Sequence, residues 1–230
     1  MRWTIPNILT VIRLLAAPGV AVAFLFFARP WADWFALILF VGAAITDWFD
    51  GYIAREFQQE SRFGAMLDPI ADKAMVVIAL TVITGFSGMN PWILLPATVI
   101  LFREVFVSGL REFLGNMAGT LKVTKLAKWK TTAQMVAIAV LFASGMFQHE
   151  FLDRVQGMDD TTVEAILSGA TADELNLGLT LQGEAVTWYV GVAILWIAAL
   201  LTGLTGWDYF SKARPYLRDK PAKATTGDTA

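Results

Sequence analysis

The sequence contains no cysteine and a single histidine, His149, among its 230 residues. Without thiols the protein can form no disulfide, use no thiolate nucleophile and bind no metal through sulfur. One histidine also argues against a metal centre built from several imidazoles. A metal site in this chain would therefore rest on oxygen ligands, which hard divalent cations prefer.

Charged residues are also scarce: Asp, Glu, Lys and Arg make up 17% of the chain, whereas hydrophobic residues make up 56%. This balance is typical of a membrane protein, in which each helix needs about 20 mostly apolar residues to cross the hydrocarbon layer. We predict an all-α, polytopic fold with six transmembrane helices. Their apolar parts cover residues 9–27, 34–50, 69–86, 91–107, 129–147 and 185–206. The second and third helices should continue through residues 51–57 and 62–68, which contain few helix breakers.

The distribution of lysine and arginine predicts the orientation of these helices. Basic residues concentrate between predicted helices two and three, between four and five, and after the last. Residues 149–184, between helices five and six, hold eight acidic residues and one arginine. We therefore expect both termini in the cytoplasm and this acidic loop, as a short helix or hairpin, on the outer face. Residues 1–212 should form one membrane domain, and residues 213–230 a polar, disordered tail.

A cluster of carboxylates begins near the end of the second predicted helix, within the stretch DWFDGYIAREFQQESRFGAMLDPIAD. Asp47 and Asp50 are three residues apart and therefore share one helix face. Gly51 and Ala54 lie on the same face, where their small side chains leave room for a ligand against the backbone. The face thus combines acidic ligands with space beside them.

The third predicted helix repeats this arrangement, because Gly64, Asp68 and Asp72 follow one another at intervals of four residues. The short connection makes the two helices antiparallel neighbours, so their carboxylates can converge. Four such charges would repel one another, and oxygen ligands suit two Mg²⁺ or Mn²⁺ ions that keep positions open for phosphate. Arg55 can then pair with that phosphate. The alternative, a solvated helix–loop–helix at the membrane surface, explains neither the register nor the small residues.

The complete pattern is Asp47-x2-Asp50-Gly51-x2-Ala54-Arg55-x8-Gly64-x3-Asp68-x3-Asp72. It resembles the signature of the CDP-alcohol phosphotransferase family at every fixed position. The resemblance implies a six-helix membrane enzyme, commonly a homodimer, whose first three aspartates bind two divalent metals that hold the pyrophosphate of a CDP-linked lipid. It also implies that Asp72 assists the metals and removes the proton from the acceptor alcohol. The lipid would contact Gly51, Ala54, Arg55 and Gly64.

Basic residues further along the chain indicate an anionic acceptor. Arg103 and Arg111 are eight residues apart, about two turns, on one side of the fourth predicted helix. Arg103 lies well inside an apolar run, where an unpaired charge would be costly. Lys128 and Lys130 open the fifth helix. These four residues are candidate ligands for an anionic group.

The stretches IPNILTVIR, REVFVSGLREFLG, KVTKLAKWKTTAQM and GWDYF resemble the phosphatidylglycerophosphate synthase branch of the family. That resemblance implies CDP-diacylglycerol as donor and sn-glycerol 3-phosphate as acceptor. The acceptor phosphate would lie among Arg103, Arg111 and one or both of Lys128 and Lys130. We accordingly expect a bacterial inner-membrane protein surrounded by lipid, with its active site facing the cytoplasm and no nucleic-acid partner.

Several alternatives stay open at this point. Another member of the family could use inositol phosphate or a phospholipid as acceptor. A divalent-cation transporter could also use intramembrane carboxylates, although such sites favour the bilayer midplane. The lysines could simply follow the positive-inside rule and bind anionic lipids. Arg13 in the first helix could reach the cytoplasmic interface with its long side chain, and His149 is interpreted as an ordinary loop residue.

Overall fold

The structure is a computed structural model that describes residues 4–56, 61–115 and 126–217, without the side chains of residues 5, 47–55 and 126–128. Every regular element within these residues is helical. The helices are α1 (Ile5–Phe26), α2 (Trp31–Glu56), α3 (Arg62–Phe86), α4 (Pro91–Leu114), α5 (Leu126–Val155), α6 (Asp160–Leu167) and α7 (Leu177–Ala213). A 3₁₀ helix, Arg214–Leu217, follows α7. The predicted all-α class is confirmed for the described part of the chain.

The six predicted membrane segments correspond to α1 through α5 and α7. Four of these helices are long and apolar enough to cross a membrane, and their spans are Pro6–Phe26, Pro91–Leu114, Trp129–Val155 and Leu177–Leu217. In α2, whose side chains are described only up to Thr46 and again at Glu56, the described apolar stretch is Trp31–Thr46. The predicted extensions of the second and third helices are confirmed, because α2 continues to Glu56 and α3 starts at Arg62.

The acidic segment 149–184 is largely helical, which corrects its description as a loop. Helix α5 continues to Val155, so His149 lies on a helix, with its Nδ1 3.0 Å from the Gly145 carbonyl oxygen. The short helix expected there is α6, and α7 already begins at Leu177. Asp159 caps α6 by accepting a hydrogen bond from the Thr162 amide. Hydrogen bonds from the two threonine hydroxyls that follow lower the pKa of Asp159 to about 2.

The first residues of the predicted disordered tail are helical. Helix α7 continues to Ala213 and the 3₁₀ helix to Leu217, so residues 213–217 have regular structure. Residues 218–230 lie outside the described part of the chain.

The core lies along the middle of the bundle and contains at least one fully buried side chain from each long helix. These side chains include Ala17, Phe40, Leu80, Ile100, Ile138 and Leu195. Small residues let the helices approach closely, as at Gly191 in α7, where an added Cβ would lie 2.8 Å from a methyl group of Leu141 in α5. A hydrogen bond of 2.9 Å from Gln134 to Thr202 joins the same two helices. Such close packing is the usual source of cohesion between helices in lipid.

An ion pair between the α1–α2 turn and the start of α2 packs against α5, at the end of α2 opposite the aspartates. Arg29 Nε donates to Asp33 Oδ2 at 2.7 Å, and Arg29 Nη2 also pairs with the other carboxylate oxygen. The Arg29 guanidinium lies 5.3 Å and 5.2 Å from the ring centres of Phe24 and Phe86. Gly145 in α5 faces this pair, and a Cβ there would lie 2.6 Å from Asp33 Oδ1. The pair and its neighbours line a cavity of about 280 Å³.

Candidate active site

The first half of the candidate site is the N-terminal part of α3. Ser61 caps this helix, because its hydroxyl accepts a hydrogen bond of 2.9 Å from the Gly64 amide. The helix then presents Asp68 and Asp72 one turn apart, and therefore on one face. The Asp72 side chain is 45% exposed. The carboxylate of Asp72 is therefore accessible from outside the protein.

The second half was predicted at the end of α2. Its backbone is helical over the predicted positions, since α2 runs to Glu56. The side chains of Asp47, Asp50, Gly51, Ala54 and Arg55 lie outside those that the structure describes. The convergence of four carboxylates therefore stays a prediction. Among the described side chains, no group of three or more His, Asp or Glu residues could hold a metal.

Helix α1 forms a wall of this site that the sequence patterns did not predict. The Thr10 hydroxyl lies 2.7 Å from Asp68 Oδ1 and 3.0 Å from the Pro6 carbonyl oxygen, and it donates to one of them at a time. Arg13 Nη1 donates to Asp72 Oδ1 at 2.9 Å. Thr10 and Arg13, one turn apart on α1, thus meet residues one turn apart on α3 in the same order along the chain. The two helices therefore run parallel.

The contact between Arg13 and Asp72 corrects the interpretation of Arg13. The residue is 2% exposed, so its guanidinium does not extend to the interface. An arginine cannot lose its charge in a protein, and a buried charge needs a partner. The carboxylate of Asp72 supplies one.

The start of α1 also explains Gly64. Ser61 donates to Asn7 Oδ1 at 2.8 Å, and Asn7 is itself buried. A Cβ added at Gly64 would lie 2.6 Å from Asn7 Oδ1. The glycine therefore lets α1 and α3 approach, and its contact with a CDP-linked lipid stays a prediction.

A basic cluster, consisting of Lys73, Arg103 and Lys130 around Glu104, lies next to the aspartates. Arg103 Nη1 donates to Glu104 Oε1 at 2.9 Å, and Lys130 Nζ donates to the same oxygen. Lys73, which directly follows Asp72, donates to the hydroxyl of Ser108 in α4. Residues from α3, α4 and α5 are thereby brought together.

Helix α7 completes the surroundings of the arginines. A Cβ at Gly206 would lie 2.9 Å from Arg103 Cγ, so the glycine makes room for the arginine stem. The Arg111 guanidinium lies 5.8 Å from the ring centre of Tyr209. Arg111 itself is exposed. Both arginines thus face α7. The side chain of Lys128 lies outside the side chains that the structure describes.

These contacts place the starts of α1, α3 and α5 and the ends of α4 and α7 at one end of the bundle.

The sequence patterns identified Arg103 and Lys130 but not Glu104, although a glutamate next to an arginine in an apolar run is itself a signal. They also passed over Asn7 and Thr10. Together with Arg13, these residues form a stripe with a period of three, which marks one face of a helix.

The fold and the site define a class before any relative is considered: a helical membrane protein with carboxylates and a buried basic cluster at one end of its bundle. The sequence profile of the CDP-alcohol phosphatidyltransferase family matches residues 3–204. The chain belongs to this family, as its resemblance predicted.

Relatives in three bacteria share the same name, CDP-diacylglycerol–glycerol-3-phosphate 3-phosphatidyltransferase. The protein of Cereibacter sphaeroides is 66% identical over 222 residues, covering 96% of this chain and all of the relative. That of Pectobacterium atrosepticum is 35% identical, covering 93% of this chain and 97% of the relative. That of Shigella flexneri serotype 5b is 33% identical, covering 96% of this chain and all of the relative.

Proposed function

We propose that this protein transfers the phosphatidyl group of CDP-diacylglycerol to sn-glycerol 3-phosphate, giving phosphatidylglycerophosphate and CMP. The observation that carries the proposal is the 66% identity with a relative named for this reaction, over the full length of that relative. The basic cluster beside Asp72 supports it, because an acceptor that carries a phosphate needs cations near the reacting hydroxyl.

The reaction forms one bond to phosphorus and breaks another. The acceptor hydroxyl oxygen attacks the phosphorus that bears diacylglycerol. The bond from that phosphorus to the bridging oxygen of the diphosphate breaks, and CMP leaves with the oxygen. Asp72 takes the proton of the attacking hydroxyl, a role for which its exposed carboxylate at the site wall is suited. General-base catalysis of this kind contributes roughly 10²–10⁴ in rate.

Four carboxylates, Asp47, Asp50, Asp68 and Asp72, would hold two Mg²⁺ or Mn²⁺ ions. The donor set fits such ions, since the described pair on α3 offers oxygen ligands on one partly exposed face and this chain has no cysteine. When bound, the ions supply charge neutralisation for the diphosphate and the leaving CMP. Gly51, Ala54, Arg55 and Gly64 are proposed to contact the CDP-linked lipid.

The net charge of the basic cluster supports a phosphate monoester as the acceptor group. Three cations, Lys73, Arg103 and Lys130, surround the single carboxylate of Glu104, so the sum is three minus one, or a net charge of +2. A phosphate monoester is close to a dianion at neutral pH. We propose that the acceptor phosphate binds Arg103 and Lys130, with Arg111 and Lys128 at its outer side.

We further propose that the chain crosses the membrane six times, with α2 and α3 as the remaining spans. These helices have 26 and 25 residues, which corresponds to about 38 Å at 1.5 Å per residue. Their charges near the site lower their mean hydropathy without shortening them. Residues 1–212 would be the membrane domain.

The basic residues near the site, together with the positive-inside rule, support an active site and termini in the cytoplasm. The bacterial relatives support the inner membrane. Assembly as a homodimer and contacts with membrane lipids are proposed from the family resemblance alone.

The test supplies purified protein with CDP-diacylglycerol, Mg²⁺ and one alcohol at a time: glycerol 3-phosphate, inositol phosphate or phosphatidylglycerol. We expect CMP release with glycerol 3-phosphate. Release only with another alcohol would overturn the assignment of the acceptor.

Asp72→Asn should retain CDP-diacylglycerol binding while losing nearly all turnover. A variant that keeps most of its activity contradicts the assignment of Asp72 as the base. Uptake of Mn²⁺ by proteoliposomes that lack the lipid donor would instead favour a cation transporter.

A further inference from the structure

The helix that is first in the chain contributes a buried arginine to the site, on the side away from the exposed carboxylate surface. The Arg13 side chain is 1% exposed, whereas that of its partner Asp72 is 45% exposed. The guanidinium therefore contacts the carboxylate from the protein interior. The Asp72 side chain thus reaches from the protein interior to an accessible surface.

Both carboxylates of α3 are held in this way by α1. Thr10 contacts one oxygen of Asp68 at 2.7 Å, and Arg13 contacts one oxygen of Asp72 at 2.9 Å. In each contact the carboxylate oxygen is Oδ1. A carboxylate held by such a contact cannot rotate freely about its χ2 torsion, which is otherwise broad.

We propose that Arg13 is a positioning residue for Asp72, which fixes the orientation of its carboxylate relative to the acceptor hydroxyl. The inference rests on the proposed function and assigns to α1 a part in the reaction. A displacement of about 1 Å in a reacting group can cost about 100-fold in rate. The loss of Arg13 should therefore reduce turnover rather than substrate binding.

A purely structural ion pair between α1 and α3 would behave differently. It would lower thermal stability and raise the KM of both substrates as the site loosened. A positioning residue lowers kcat while the KM of CDP-diacylglycerol stays close to that of the wild type, whatever the change in melting temperature. The two roles can be separated by measuring all three quantities.

The experiment compares full-length Arg13→Ala and Arg13→Lys with the wild type. We expect kcat to fall about 100-fold in Arg13→Ala, with the KM of CDP-diacylglycerol changed by less than about threefold. The matched control is Leu15→Ala, on the exposed side of the same helix, and it should keep the wild-type kcat. Mn²⁺ binding, followed by electron paramagnetic resonance, should keep its stoichiometry in Arg13→Ala.

Two further measurements identify the partner through which Arg13 acts. Added guanidinium should restore at least about tenfold of the kcat lost in Arg13→Ala, but should not activate Asp72→Asn. The double variant Arg13→Ala/Asp72→Asn should be no slower than Asp72→Asn alone, because effects of residues that act as a unit do not add.

Wild-type kcat in Arg13→Ala, or a full additional loss in the double variant, would overturn the proposal. If Arg13→Ala does not fold, Arg13→Lys decides: it should fold with an intermediate kcat, whereas wild-type kcat in this variant also overturns the proposal. The proposed function fails separately, when the wild type releases no CMP with glycerol 3-phosphate. The same variants are then compared with the alcohol that does release it.

Discussion

Glu104 is a buried carboxylate between two cations of different helices. Its Oε1 accepts from Arg103 at 2.9 Å and from Lys130, and its side chain is 11% exposed. Without the negative charge of this carboxylate, the two neighbouring cations would repel each other. Glu104 therefore keeps the basic cluster assembled.

The first prediction concerns this carboxylate. Glu104→Ala leaves Arg103 and Lys130 buried without their common partner, which should cost roughly 3–5 kcal/mol of stability. Thermal unfolding of the purified protein should therefore begin at a clearly lower temperature. Glu112→Ala, which removes an exposed carboxylate from the same helix, serves as the control and should change stability by less than about 0.5 kcal/mol. Equal stability of the two variants contradicts the role of Glu104.

A second prediction separates the two substrates. Arg111→Ala should raise the KM of glycerol 3-phosphate more than that of CDP-diacylglycerol, because Arg111 is proposed to lie beside the phosphate of the acceptor. An exposed charged contact of this kind is worth about 1 kcal/mol, or roughly a fivefold change in KM. Lys212→Ala removes a basic residue that pairs with Asp208 instead, and it should leave both KM values unchanged. Equal effects of Arg111→Ala on both substrates would remove its assignment.

The sequence could identify site residues that lie close together along the chain, but not those that only the fold brings together. Asp68 and Asp72 are four residues apart, so the helical period alone puts them on one face. Arg13 and Asp72 are 59 residues apart, and the period of a helix says nothing about which other helix it will meet. The carboxylates were therefore predictable, whereas their partners in α1 required the tertiary structure.

At the scale of elements, α5 is held to the α1–α2 turn by the contact of Gly145 with the ion pair of Arg29 and Asp33. An added methyl group at Gly145 would lie 2.6 Å from one oxygen of Asp33 and 2.8 Å from Arg29 Nη2. Distances this short require the ion pair or the helix to move. The glycine thus sets how closely α5 can pack.

The third prediction follows from this close approach. Gly145→Ala should destabilise the protein by about 1–3 kcal/mol, the usual cost of overpacking, and lower its melting temperature. Gly203→Ala in α7 meets no atom within 4 Å, so it should be neutral or stabilising by up to about 1 kcal/mol through helix propensity. A Gly145→Ala variant as stable as Gly203→Ala shows that the ion pair is free to move.

The ends of the helices were less predictable than their middles. Apolar runs locate the part of a helix inside lipid, but α5 continues to Val155 and α7 starts at Leu177, where the sequence is polar. Helical hydrogen bonding does not require an apolar environment, so these ends carry no hydropathy signal. For α2 and α3, the scarcity of helix breakers did predict the extensions.

At the scale of the whole molecule, contacts at one end of the bundle relate its helices to one another. Residues at the start of α5 and at the end of α7 both meet α4, through Lys130 and Gly206. The beginning of α1 and the end of α7 therefore lie at the same end, as the proposed six crossings require. The structure gives this relation without reference to a membrane.

The fourth prediction tests the proposed orientation and uses the absence of cysteine, since any introduced thiol is unique. Ser168→Cys follows α6 and is exposed, so it should react with a membrane-impermeant maleimide added to intact spheroplasts. Thr225→Cys in the tail should react only after the membrane is permeabilised. The labelled fraction is read by the shift of the protein on a gel. The reverse pattern would place the termini and the aspartates outside the cell.

The ion pair between α1 and α3 also bears on how the protein is made. An arginine near the middle of a lone helix raises the cost of its entry into the bilayer by about 2.5–3.5 kcal/mol. The carboxylate that offsets the charge of Arg13 is synthesised 59 residues later. We therefore expect stable integration of the first helix to depend on synthesis of the third, whose carboxylate balances its charge.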